Sequence, residues 1–151
     1  MRFGKLMWRC LAPYRGGMPD PDAFGILAAL DAFGRCLTAR DLPGTLALLA
    51  HDADVTIVPS EGVDAHRGRQ AISSFLATIY GGPRTYEWRW QERWTWVRDD
   101  VASFVALGDE LIHGDTPQPR VIPYCLTGTL VRRDRAWRFL LLHGSEASSP
   151  G

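Results

Sequence analysis

Histidine, carboxylate and hydroxyl side chains recur in this chain at spacings suited to proton transfer. His143 and Ser145 stand two residues apart, and Trp137 precedes His143 by six. Side chains alternate between the faces of a strand, so a regular strand would put all three on one face. An imidazole, with an ordinary pKa of about 6.5, can both give and take a proton near neutrality. The alternative for His143 is a structural imidazole bonded to a neighbouring strand or to Ser145. Glu92 interrupts an aromatic run made by Trp88, Trp90, Trp94 and Trp96. A carboxylate there is costly unless it is paired or a β-bulge turns it outward. Asp109, Glu110 and His113 close a long apolar stretch, and with Tyr124 they could converge on the mouth of a cavity or form a solvated strand edge.

Other polar groups give less. His51, Asp52 and Asp54 surround a helix end without a further matched pair, so they read as caps and surface charges, and no metal is expected. No cofactor is expected either. Glu61 reads as a turn residue and His66 as a hairpin residue. Cys10, Cys36 and Cys125 form an odd set without C-x-x-C spacing, which fits a reducing cytoplasm.

The elements that must position these groups follow from periodicity. Ile26, Leu30, Phe33 and Leu37 recur at steps of four, three and four, the stripe of an amphipathic helix. Asp41 before Pro43 resembles an N-cap with proline in the first turn of a second short helix carrying Leu46, Leu49 and Ala50. Asp54 to Val58 reads as a short strand leaving into a hairpin through Ser60, Glu61 and Gly62. Ile72, Phe75, Leu76 and Ile79 give a third helix, stopped by Gly81, Gly82 and Pro83. Beyond Thr85 the period is two, and four long strands follow with turns at Asp99-Asp100, at a polar loop holding Pro117 and Pro119, and at Asp134.

A chain of 151 residues suits one domain, here 20–151, with 1–19 an irregular extension. The expected architecture is α+β: a cone-shaped, curved antiparallel sheet of a barrel-like kind, wrapped around the N-terminal helix, with three helices in all. Seventeen basic residues balance 17 acidic ones, so no net field draws the protein to nucleic acid or to an anionic membrane. Neither a signal-peptide core nor a bilayer-spanning run is present in the sequence. The outer sheet face, left without helices, is expected to meet a second copy as a homodimer.

Several stretches carry a family resemblance. Arg40-Asp41-Leu42 through Leu48-Leu49-Ala50, Asp54-Val55, and Gly68-Arg69 with Ile72 and Phe75 resemble the front half of SnoaL-like members of the nuclear transport factor 2-like superfamily. Pro123-Tyr124-Cys125-Leu126-Thr127-Gly128, Arg133-Asp134, Trp137-x-Phe139 and His143-Gly144-Ser145-Glu146 resemble its last two strands. The resemblance implies a cone-shaped, usually dimeric fold whose pocket binds ligands in some members and runs isomerase, dehydratase, hydrolase or cyclase chemistry in others. Fold alone does not choose among these.

The resemblance also assigns positions. Ketosteroid isomerases place an acid before the proline where Val58 stands and a tyrosine roughly where Phe33 stands, so that chemistry is not expected here. Other members pair a histidine with a carboxylate, which implies His143 with Glu92 or Asp109 as a catalytic pair. Where relatives often carry an arginine, this chain has Cys125, so an anchor for an anionic ligand is missing. Phe33, Val58, Trp88, Tyr124, Cys125 and Ser145 are the expected ligand-binding residues, and a small hydrophobic or neutral organic molecule the expected ligand. Three functions compete: a binding domain with an apolar, partly aromatic pocket, an acid–base cyclase, dehydratase or hydrolase, and a dimeric interaction module.

Overall fold

The computed structural model describes residues 21–62 and 64–147. The extension expected over 1–19 lies outside them.

The chain opens on α1 (Pro21–Ala39), which buries Ile26, Leu30, Phe33 and Leu37 as one stripe. A positive φ at Arg40 reverses the backbone, and Asp41 then caps α2 (Leu42–Ala47), its carboxylate accepting from the Gly44 amide at 2.9 Å. The second helix is shorter than its apolar residues suggest. Past Ala47 the backbone straightens, Leu49 forms a parallel bridge to Phe139, and the Ala50 amide donates to the Phe139 carbonyl. The Arg69 guanidinium, at the start of α3 (Arg69–Gly81), donates to the carbonyls of Leu46 and Leu49 and so satisfies the end of α2. Between these helices lie β1 (Thr56–Val58) and β2 (His66–Arg67).

Four long strands complete the sheet: β3 (Thr85–Arg98), β4 (Val101–His113), β5 (Arg120–Arg133) and β6 (Ala136–Glu146). Their antiparallel meander follows the sequence pattern. Strand order is β2-β1-β6-β5-β4-β3, and β1 runs parallel to β6. The sheet is therefore mixed, and it is open, with β2 and β3 as its edges. Helix α1 packs on the inner face, where Phe33 stacks on Trp88 at 5.6 Å between ring centres and meets Phe139 edge-on. That face and the helices enclose the core.

Two bulges set which side chains reach the inner face. In β3, Trp90 pairs with Gly108 and Glu92 with Leu107, so Gln91 is an extra residue. In β6, Phe139 pairs with Leu130 and Leu141 with Thr129, so Leu140 is extra. Each inserted residue reverses the inward phase of everything after it. Gly108 faces the first bulge, and a side chain there would collide with the Arg89 carbonyl.

Candidate functional site

A cavity of about 200 Å³ opens between the inner face of the sheet, α1 and α3. Its walls are mainly apolar and aromatic: Phe33, Phe75, Tyr86, Trp88 and Tyr124 with Leu126 and Leu142. Tyr124 and Trp88 stack with ring centres 6.0 Å apart, so the rings of Phe33, Trp88 and Tyr124 form one continuous wall. Polar groups are few. They are Ser60 and Glu61 from the turn after β1, Glu110 from β4, Glu146 from β6, and the two tyrosine hydroxyls.

Glu110 is 6 % exposed. It follows Ala102, Phe104 and Ala106 in the inward phase of β4 and pairs across the strand with Trp88. The Trp88 indole donates to Oε1 at 2.9 Å. Oε2 has no hydrogen-bond partner among the described residues and is not sealed in protein, so it opens on the cavity. Burial pushes the carboxyl group up to about 7, opposed by the Trp88 hydrogen bond and helped by the charges of Glu146 and Glu61. Near neutrality Glu110 is thus divided between acid and carboxylate.

Beside it, Tyr124 is buried against Gly144. Burial, and then the nearby charge of Glu110, pushes its phenol well above the ordinary range. The Ser60 hydroxyl opposes that rise and donates its proton to Glu146 Oε1 at 2.8 Å. Burial, followed by the charge of Glu61, also raises the Tyr86 phenol.

The residues picked out in the sequence divide between the two faces. Phe33, Val58, Trp88 and Tyr124 line the cavity, the first two as apolar groups where the isomerase resemblance expects a tyrosine and an acid. His143 and Ser145 do not. They lie exposed on the outer face, because the bulge at Leu140 turns Leu142, Gly144 and Glu146 inward instead. Trp137, before the bulge, is still buried in the core, so the expected common face is broken between them. Cys125 pairs with Ser145 and shares that outer face, since its neighbours Tyr124 and Leu126 point in. Glu92 is exposed beyond the bulge at Gln91. Asp109 is one residue out of phase with Glu110 and accepts from Gln91 Nε2 at 2.7 Å.

Sequence reading missed Ser60 and Glu146 and treated Glu61 as a turn. His66 stacks on Phe75, 4.0 Å between ring centres, behind a ring that lines the cavity. Among the described residues no cluster of His, Cys, Asp and Glu could hold a metal ion, and no helix is long and apolar enough to cross a membrane.

A family model described as SnoaL-like domain matches residues 26–149. No curated protein matches the sequence. Among solved structures, a protein of Streptomyces avermitilis provisionally named a dehydratase of the nuclear transport factor 2-like family superposes with a TM-score of 0.77 at 20% identity, covering 87% of this chain and all of its own. A provisional calcium/calmodulin-dependent protein kinase type II association domain from Thiobacillus denitrificans gives 0.66 at 25% identity over 81% of this chain and 94% of its own. A provisional scytalone dehydratase from Novosphingobium aromaticivorans gives 0.72 at 15% identity, with 84% and 85% covered.

Proposed function

Because the chain belongs to the SnoaL-like domain family, we propose that its cavity takes a small, largely apolar, partly aromatic organic molecule without an anionic group, and that Glu110 acts on it. The observation carrying this reading is a buried carboxyl group with one oxygen fixed by Trp88 and the other facing open space. When Glu110 is protonated, the oxygen that accepts from the indole is the carbonyl oxygen, and the proton sits on Oε2 toward the ligand. Such an acid can protonate a departing hydroxyl group or an ether oxygen, and as a carboxylate it can take a proton back. Elimination of water balances with this one group when its acid form gives a proton to the leaving hydroxyl and the resulting carboxylate takes the proton from the adjacent carbon; hydrolysis requires a water molecule as well. Two of the similar structures bear provisional dehydratase names, which agrees with that class.

No cofactor enters the scheme, and the free thiols of Cys36 and Cys125 fit a cytoplasmic setting. The outer face exposes Trp94 and Trp96, 40 % and 56 % open, beside Leu107, Val121 and Leu141. We read it as the contact with a second copy, checked by the mass of the protein in solution.

The test follows indole N–H signals during NMR titration with 2-phenylethanol. The Trp88 signal is expected to move while those of Trp94 and Trp96 stay. Movement confined to the outer tryptophans, or none, would sink the cavity reading.

A further inference from the structure

The cavity gathers negative charge, and no basic residue lines it. Surface carboxylates of this protein are widely paired: Asp22 and Asp100 with Arg132, Asp31 with Arg93, Asp115 with Arg84. Among the described residues, no ion pair engages Glu61, Glu110 or Glu146. No lysine, arginine or histidine lines the cavity. Glu146 has only the Ser60 hydroxyl, and buried Glu110 only the Trp88 indole, with Oε2 left open to the cavity. Of the three only Glu110 is buried, and a buried carboxyl group near other negative charge is costly unless it holds a proton or meets a cation.

An inorganic ion does not answer this arrangement, because the described carboxyl groups are not grouped tightly enough to share one. A larger cation does. Carboxylate and phenol oxygens call for N–H donors, and the π-faces of Phe33, Trp88 and Tyr124 attract positive charge as well as apolar surface. Resting on the reading of the cavity as a ligand site, we infer that its ligand is a protonated primary amine on a compact, partly aromatic body, with the ammonium between Glu110 and Glu146 and the body along Trp88.

The arrangement has a proton signature. Glu110 faces Glu61 on the turn after β1, Glu146 on β6, Arg120 and Tyr124 on β5, and Trp88 and Tyr86 on β3. Arg120 alone among these favours its carboxylate as a neighbouring cation, and it lies exposed at the start of β5. An ammonium arriving beside Glu110 adds the missing positive charge and drives its proton into solution. Amine affinity therefore rises with pH through neutrality, while that of an uncharged analogue does not.

The experiment is calorimetric titration of the whole chain with 2-phenylethylamine, 2-phenylethanol and phenylacetate. At about pH 7.5 the amine is expected to bind about tenfold more tightly than the alcohol and phenylacetate most weakly, with amine affinity falling several-fold by about pH 5.5. Glu146→Gln is expected to weaken the amine several-fold more than it weakens the alcohol. Glu61→Gln, an exposed turn substitution with little consequence for folding, does the same to a smaller degree. Alcohol bound as tightly as amine, or equal losses for both ligands in the variants, overturns the inference while the cavity reading stands. If none of the three compounds moves the Trp88 signal, both fall.

Discussion

Trp88 and Glu110 are cross-strand partners, and the indole of the first fixes one oxygen of the second at 2.9 Å. The pair sits on the inner face of the sheet, where Glu110 also lies opposite Ile122 of β5, so the carboxyl group loses water and keeps one donor. That balance holds its pKa near 7 rather than 4.5.

The consequence for stability has a definite sign. Between about pH 4.5 and 7 the folded protein retains a proton that the unfolded chain has released, so stability falls as pH rises through this window and levels off above it. A shift of this size corresponds to on the order of 3 kcal/mol at most. Glu110→Gln keeps an acceptor for Trp88 without the charge. Urea midpoints at both ends of the window should show the parent less stable at the alkaline end and the variant nearly level. An unchanged slope in the variant would assign the titration elsewhere.

Trp88→Phe preserves a ring against Phe33 but removes the indole donor. That hydrogen bond favours the carboxylate, so its loss should raise the titration midpoint of Glu110 further. Carboxyl carbon chemical shifts followed against pH would show the movement. A midpoint that falls would mean that water entering the gap matters more than the lost bond.

Local patterns carried most of the fold. The stripe of α1, the Asp41 cap and the glycines ending α3 each depend on neighbours a few residues away, and each is where its spacing puts it. In β3 the carboxylate of Glu92 inside an aromatic run marked a bulge as one of its readings, and the structure has one at Gln91; in β6 the inward phase was not legible, because Leu140 is an ordinary strand residue. His143 and Ser145 were lost to that one-residue slip. Glu110 was among the groups expected near the cavity mouth, and it could have been preferred to Asp109, since β4 is unbroken and the alternation of Ala102, Phe104 and Ala106 carries directly to it. The pairing of β1 with β6 joins segments far apart in sequence, and with it came the meeting of Ser60 and Glu146 that no periodicity could show.

His143→Ala tests the corrected phase. The imidazole is exposed beside Thr127 on the outer face, so the substitution should change stability by less than about 0.5 kcal/mol and leave cavity binding intact. Thermal melting together with titration of 2-phenylethanol would check both. Loss of binding with unchanged melting would return His143 to the site.

Gly144 tests how tightly the Tyr124 hydroxyl is seated. A Cβ built on Gly144 would overlap that hydroxyl and crowd the ring carbon bearing it, while the Ser60 amide is 3.5 Å away. Gly144→Ala must therefore displace the phenol or bend β6, at a cost of about 1–3 kcal/mol. In Tyr124→Phe the overlapping oxygen is gone, so adding Gly144→Ala there should cost less than it does in the parent. Denaturant midpoints of the four proteins give the coupling directly. Strict additivity would mean that the glycine is needed for the strand itself and not for the seat of the phenol.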